Sequence, residues 1–578
     1  MSERLRRVVF AELPAWQLLV LAAALSVLSA ATLFDWSFVA GRDAFWLFPR
    51  GTIGGSQNDM AATLAAYLYY VQSPWRLPLF HVAALGAPAG TNVIFMDVVP
   101  VVALAGKLIH TLTGATVNLY GAYLFLCFSL PGVAMTLVLI AARIRYALAA
   151  IIAAAFATAA PALLWRWGHV ALEAQFLPIG ALALYLFWLQ PRAGRLVERV
   201  WVAYLVLAYL TNIYLFAMVG IVWLCALIQR RLNALATTRE AFGIGGLTVA
   251  AVTIFIALCG QFGTENGLPI AWGYGYYSMN LLSPFMPQQS GLFPGLGGVI
   301  DANGGQYEGF NYLGAGLLLA SILVLPCELG WLVRNLRRHA LLAVAFTALT
   351  AFAISHHVYA GHRLLFWVPV APSLNQLLGT FRSSGRFFWL IGYAQTAIVI
   401  VLVFRRARPV MALCLAGAAC LQIFDVQPLR EQIIASRAAG PGAAELDRAE
   451  VADLVGRARR IEVVPSFQCS ANAEQRRANV ELMLASAWAN VPTNTLYSSR
   501  QSYGLTLRDV LQAPDRVEQM LRASAAAYCR QETDRAQRGG DPGEIFVFLA
   551  DRPQQQEIAP GVACAPLSWA RYCERPKE

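Results

Sequence analysis

Residues 118–145 read NLYGAYLFLCFSLPGVAMTLVLIAARIR. From Asn118 to Ala142 there is no charged side chain, and the two arginines Arg143 and Arg145 follow at once. A helix needs about 20 apolar residues to cross the hydrocarbon core of a bilayer. This run meets that length, so it predicts a membrane span ending in a basic loop.

The same punctuation recurs along the chain. Every second loop is basic: Arg4, Arg6 and Arg7; Arg143 and Arg145; Arg192, Arg195 and Arg199; Arg230, Arg231 and Arg239; Arg334, Arg337 and Arg338; Arg405, Arg406 and Arg408. The loops between them are poor in Lys and Arg. Cytoplasmic loops carry an excess of positive charge, so the alternation predicts a polytopic helical protein with a cytoplasmic N-terminus. Eleven spans are expected, at about 16–34, 118–141, 147–164, 170–190, 200–212, 213–229, 242–262, 312–333, 340–356, 387–404 and 409–424. The 200–212 run is short for a crossing. An odd number of spans places the C-terminal tail on the outer face.

Composition agrees. The 578 residues are 58% hydrophobic and 13% charged, with a mean hydropathy of +0.53. Soluble domains carry about 25% charged residues. The net charge of +11 is not a nucleic-acid signature. Residues 1–424 carry a net +12 and residues 425–578 a net −1, so the excess is topogenic arginine. No cleavable signal peptide is evident, and the first apolar run reads as a retained signal-anchor.

Two domains follow: a membrane domain over 1–424, with a long first outer loop at 35–117, and a polar tail over 425–578. Two amphipathic stretches in the first loop, 59–72 and 97–111, read as helices lying at the membrane surface. In the tail, helical period at 443–459 and 473–487 alternates with strand-like IEVVP (461–465) and EIFVFLA (544–550), which predicts a small α/β domain. It carries Cys469, Cys529, Cys564 and Cys573. An even number of cysteines outside the cytoplasm suggests two disulfides. Three pairings are open, with Cys469–Cys529 and Cys564–Cys573 the expected one. The other six cysteines sit in or beside apolar runs and read as small core residues.

The polar residues that look chemical fall at the ends of spans away from the basic loops. Asp59 and Asp97 each open one of the loop helices. An N-cap role suits both, and two such carboxylates could converge on one site. Arg382 and Arg386 lie in FRSSGRFFW (381–389), where guanidinium forks match phosphate oxygens. Positive-inside bias disfavours two arginines at that end, although interfacial anchoring would also use them. Arg166, His169 and Glu173 cluster in RWGHVALEAQ (166–175). His169 and Glu173, four apart, would share a helical face, as a ligand site or as a paired structural patch. His356, His357 and His362 could make a metal site, but their spacing fits no motif. No cofactor is specified, and a divalent metal stays open. The loop at 263–311 lacks Lys and Arg and is rich in Gly, Pro, Tyr and Phe.

These stretches, with GGSQNDM (54–60), PWRLPLF (74–80) and GAPAGTNVIFMDVVP (86–100), resemble an uncharacterised bacterial membrane-protein family assigned to the glycosyltransferase C superfamily. The order of elements is similar too: one helix, a long first outer loop with an acidic residue and two helices, a bundle of spans, and a periplasmic tail. The resemblance implies a glycosyltransferase of the bacterial inner membrane. It would take a sugar from a polyprenyl-phosphate donor and pass it, with inversion, to a glycan, lipid or protein acceptor. Asp59 matches the acidic position of the first loop and would be the general base. Arg382 and Arg386 would hold the phosphate, with Asp97, Arg166, His169 and Glu173 around the substrates. Met60 follows Asp59 where protein-mannosylating members carry a second acid, and the tail lacks a WWD-like motif. The competing readings are a lipid or polysaccharide transporter and a non-catalytic envelope scaffold. No internal repeat of the kind transporters show is present.

Overall fold

The computed structural model describes residues 3–42, 59–262, 273–296, 300–438, 446–497, 512–513, 516–549 and 559–575. The Gly54–Asn58 approach to Asp59 lies outside them, as does the start of the aromatic loop at 263–272.

In lipid, every backbone N–H and C=O must be bonded within the segment, so uninterrupted apolar runs become helices. Among the described residues, eight helical segments are long and apolar enough to cross a membrane: Tyr120–Ala141, Ala147–Trp165, Val170–Trp188, Ile213–Leu232, Thr238–Leu258, Ala315–Arg338, Ser384–Phe404 and Pro409–Ala438. The chain is thus a mostly helical, multi-pass membrane protein. The other three expected spans correspond to shorter helices, Ala15–Ala31, Arg195–Tyr209 and Ala340–Ile354. Helix 15–31 packs on 120–141 and 147–158, and 120–141 packs on 176–188. Thr237 and Glu240 form a capping box that starts helix 238–258.

The first of the two loop helices differs from expectation, and the second begins three residues later than expected. Helix Asp59–Gln72 is not an amphipathic surface helix: every residue from Met60 to Val71 is buried. Its outer side is covered by tail helix Ala473–Trp488. Tyr69 Oη donates to the Val491 carbonyl, and Gln72 Nε2 donates to the Ala487 carbonyl at 2.9 Å. Helix Pro100–Thr113 lies against 59–72. Lys107, within the stretch expected at the membrane surface, is buried there. Its Nζ donates to Ser73 Oγ at 2.9 Å and to the Tyr70 and Pro74 carbonyls, both at 3.2 Å. Three acceptors and the Tyr70 ring satisfy an ammonium that otherwise could not be buried.

The tail forms a four-stranded sheet in the order Arg460–Val464, Glu544–Phe548, Arg571–Glu574, Ala563–Pro566. The first pair is parallel and the others antiparallel. Ile461, Val463, Ile545 and Val547 face helices Arg448–Arg457 and 473–488. Val464 and Phe546, on the opposite face, meet Ala536 of helix Val517–Arg538. This period-2 alternation between two apolar faces is what a sheet covered on both sides requires. The disulfides are Cys469–Cys529 and Cys564–Cys573.

Helix 120–141 fixes the polarity of the bundle. At its start, Tyr120 Oη donates to the Val98 carbonyl at 2.7 Å, beside the first loop and the tail. Its far end is the Arg143–Arg145 turn, where Leu13 N donates to the Arg145 carbonyl at 3.0 Å. The tail and this basic loop therefore sit at opposite ends of the bundle.

Candidate functional site

A cavity of about 310 Å³ opens at the tail end of the bundle. Asp59, Asp97, His169, Arg382 and Arg386 all line it. They come from four separate stretches of chain, so the fold, not sequence proximity, assembles them.

Asp59 is the first residue of helix 59–72 and lies in its first turn. Its Oδ1 accepts a hydrogen bond from Tyr497 Oη, from the tail. Tyr497 is held in turn by an edge contact with Phe467, ring centroids 4.5 Å apart. The strand-like segment before it threads into the first loop: Ala87 N donates to the Thr493 carbonyl and Thr493 N to the Ala84 carbonyl, both at 2.9 Å.

Asp97 does not cap a helix. Val99 occupies the N-cap position of helix 100–113, with no side-chain capping bond. Asp97 has φ 54° and Val99 φ 50°. The left-handed region is rare for any residue but glycine and is an outlier for a β-branched one. Each such residue costs on the order of 1–3 kcal/mol and persists only where the surroundings impose it. Here the Tyr120 bond to Val98 and a 2.7 Å bond from Val101 N to the Leu210 carbonyl impose it.

His169 is delivered by Gly168, whose φ of 103° turns the chain after the Pro161–Trp165 helix. The following turn, Val170–Leu172, is a 3-10 turn. His169 and Glu173 therefore do not share a helical face. His169 faces the cavity, while Glu173 is fully buried outside its lining. Neither Glu173 carboxylate oxygen has a hydrogen-bond partner among the described residues.

Sequence reasoning missed the hub of the site, Glu308. It lies in the Gln306–Gly309 turn, is nearly inaccessible, and lines the cavity. Its Oε2 accepts from Arg166 Nη1 at 2.7 Å and from Arg386 Nε and Nη2 at 3.0 and 2.7 Å. His169 stands between two carboxylates, Nε2 3.3 Å from Glu308 Oε1 and Nδ1 3.9 Å from Asp59 Oδ2. Burial alone would raise the Glu308 pKa, but the Arg386 and Arg166 guanidiniums hold it well below the usual carboxylate range.

This hub changes the roles of two arginines. Arg166 is buried behind the wall, outside the cavity lining, with Nη2 donating to the Tyr307 carbonyl at 2.7 Å. It is a structural counter-charge, not a ligand contact. Arg386 lines the cavity, but its fork is taken by Glu308 and its face lies 4.7 Å from the Tyr214 ring centroid. Arg382 differs from both. It makes no ion pair among the described residues, and its guanidinium lies 5.7 Å from the Tyr277 ring centroid. The turn carrying both arginines is pinned by Gly385. A Cβ there would meet Gly309 Cα at 2.5 Å, so only glycine admits the crossing of the two loops. Asn311 Nδ2 also donates to the Gly385 carbonyl at 2.9 Å.

The cavity thus brings together the carboxylates of Asp59 and Asp97, a guanidinium at Arg382 with no ion pair among the described residues, and the aromatic rings of Tyr277 and Tyr307. Its arginine can hold an anion and its carboxylates can accept a proton. The three histidines do not converge on a metal. His356 stacks on Tyr274 with ring centroids 5.1 Å apart, and His362 Nδ1 lies 3.1 Å from the Asp301 carbonyl. Among the described residues no three His, Cys, Asp or Glu side chains are arranged to hold an ion.

No curated protein matches the chain. Residues 23–427, well over half of its length, match the family described as a domain of unknown function (DUF6311), and the chain belongs to that family.

Proposed function

We propose that this protein is a membrane glycosyltransferase of the glycosyltransferase C type. It takes its sugar from a polyprenyl-phosphate donor at the outer face of the bacterial inner membrane, with eleven spans and a periplasmic tail. The observation that carries this reading is that a first-loop carboxylate, Asp59, and a guanidinium with no carboxylate partner among the described residues, Arg382, line one cavity at the tail end of the bundle.

The chemistry follows from that pairing. The donor phosphate binds Arg382, whose charge stabilises the anion that builds up as the bond from the anomeric carbon to phosphate oxygen breaks. An acceptor hydroxyl attacks the anomeric carbon from the opposite side, so configuration inverts. Its proton passes to Asp59 Oδ2, and polyprenyl phosphate leaves. General-base assistance of this kind contributes about 10²–10⁴-fold. Tyr497 and His169 orient the carboxylate. Arg386, fixed by Glu308, adds positive potential without a free fork. Tyr277 and Tyr307 offer ring faces to the sugar. The strain at Asp97 and Val99 suits a functional wall rather than a packing one.

The test is turnover of a panel of polyprenyl-phosphate hexoses by the full-length protein in nanodiscs, read as release of polyprenyl phosphate. Asp59→Asn is expected to lower turnover by at least about 10²-fold with unchanged expression and melting temperature. Wild-type rates in that variant would remove the assignment. Arg382→Ala is expected to weaken binding of the polyprenyl monophosphate product, and unchanged affinity would count against its role.

A further inference from the structure

The last span before Arg382 is followed by a segment that the cavity does not explain. Helix 340–354 leads into a hairpin of strands His357–Ala360 and Arg363–Trp367. The hairpin turn is fixed to the site loop. Gly361 exchanges hydrogen bonds with the Asn280 side chain at 2.8 and 3.0 Å, and Leu281 N donates to the Tyr359 carbonyl at 2.9 Å. It is therefore a placed element.

After the exposed Arg363, its outer strand is apolar on both faces and exposed on both. Successive side chains point to opposite sides of a strand. Leu364 and Phe366 on one face are 46% and 55% exposed, and Leu365 and Trp367 on the other are 54% and 59% exposed. Val368 continues the run, and helix Pro372–Gly379 adds exposed Leu374 and Leu377. Three residues after that helix comes Arg382, in the cavity wall. A water-facing strand would be polar on at least one side, and a protein partner would cover one face and leave the other bare. Lipid covers both. The patch is also continuous with helix 340–354, which buries only Leu349 and Ala353 in the protein and turns residues such as Val344 outward. His356, between helix and hairpin, turns inward to stack on Tyr274.

We infer that residues 363–379 form an arm inserted into the lipid leaflet. The chain of the lipid-linked ligand lies along this arm, which brings its phosphate to Arg382. The first statement stands on exposure and continuity alone; the second rests on the donor reading above.

Insertion is tested by spin-label accessibility in nanodiscs, with the exposed thiols Cys327, Cys414 and Cys420 replaced by serine. Nitroxides are placed at Leu365→Cys and Phe366→Cys, with Arg448→Cys on the exposed tail helix as the aqueous reference. Both arm sites are expected to collide with oxygen far more often than with a nickel chelate. Collision with the chelate at the reference level would overturn insertion. Protection from both reagents at either site would also overturn it, because a protein partner would then cover the strand. The second statement is tested with the Leu365→Lys/Phe366→Lys pair, checked for an unchanged elution profile. The preference in kcat/KM for an undecaprenyl over a farnesyl donor is expected to fall about tenfold, less than the transfer free energy of two buried methylenes. An unchanged preference would overturn the guiding role. If the wild-type protein turns over neither donor, the donor reading fails and the guiding role with it, while the collision data still decide insertion.

Discussion

Two buried glutamates show how differently one residue type can be held. Glu308 carries three charge-assisted bonds from the buried Arg166 and the partly buried Arg386, and Glu173 carries none among the described residues. Removing one partner of a buried ion pair costs about 3–5 kcal/mol, because the remaining charge stays uncompensated. Glu308→Gln is therefore expected to lower the melting temperature sharply in detergent. Replacing an unbonded buried polar group by an apolar one of similar shape is neutral or stabilising, so Glu173→Met should melt at or above wild type and keep turnover. Equal losses in the two variants would contradict this description of the site. Tyr497 is a subtler case. Its hydroxyl bonds the Asp59 carboxylate, and a hydrogen bond to a charged group contributes about 1.5–3 kcal/mol. Tyr497→Phe is expected to lower kcat about tenfold or more while the donor KM holds, the pattern of a positioning residue. A rise in KM at constant kcat would assign it to binding instead. Asp59, Asp97, His169, Arg382 and Arg386 were legible because each is an ionisable group at the edge of an apolar run. Glu308 was not: it sits in the featureless loop GGQYEGFN, and its partners lie 142 residues upstream and 78 downstream.

At the scale of elements, the tail sheet concentrates charge where strands usually bury apolar groups. Glu462 on strand 460–464 pairs with Arg460 at 2.9 Å and with Arg535 of helix 517–538 at 3.5 Å. Glu544 on the neighbouring strand meets the same two arginines. Burial nevertheless pushes the Glu462 carboxyl up to about 7, with Glu544 and Glu532 adding repulsion, and pushes Glu532 up to about 6. An acid raised above its unfolded value of 4.5 binds a proton in the folded state that the unfolded chain has already released. Its contribution is complete below pH 4.5 and is lost as pH rises through 7. The tail should therefore unfold more readily at pH 8 than at pH 5, by up to about 3 kcal/mol from Glu462. Glu462→Gln should flatten that slope, and a wild-type slope in the variant would refute it. Helices and strands were the most legible level. Twenty-residue apolar runs and short apolar strand runs are local signals, and most spans and the two strands expected in the tail fall where the sequence put them, while strands 563–566 and 571–574 were not expected. Helix 59–72 was misjudged for a non-local reason: its cover comes from residue 473 onward, and no window of sequence reveals which distant element will lie on an apolar face.

For the whole molecule, the tail completes the site. It contributes Tyr497 to the cavity, closes helix 59–72 from outside, and threads residues 491–497 through the turn at Ala84–Ala87. The membrane domain has its own core of spans, whereas the tail is stapled by Cys469–Cys529 across 60 residues, a cross-link of the size that stabilises by about 4 kcal/mol in the chain-entropy account. Deleting residues 446–578 should leave the spans able to insert, since their backbone bonds are satisfied within each helix. It should also strip the cover from helix 59–72 and release Asp59 from its tail contact. The truncated protein is expected in the membrane fraction, with turnover lost at least as fully as in Tyr497→Phe and with helix 59–72 newly open to proteolysis. Full turnover after deletion would make Tyr497 dispensable and confine the chemistry to the membrane domain. A separate outcome would point elsewhere: if deletion abolished the cellular phenotype while Asp59→Asn left it intact, the tail would be the working part and the cavity a bystander. Loss of turnover in both variants, with the spans still inserted, is the result that a site shared between the two domains requires.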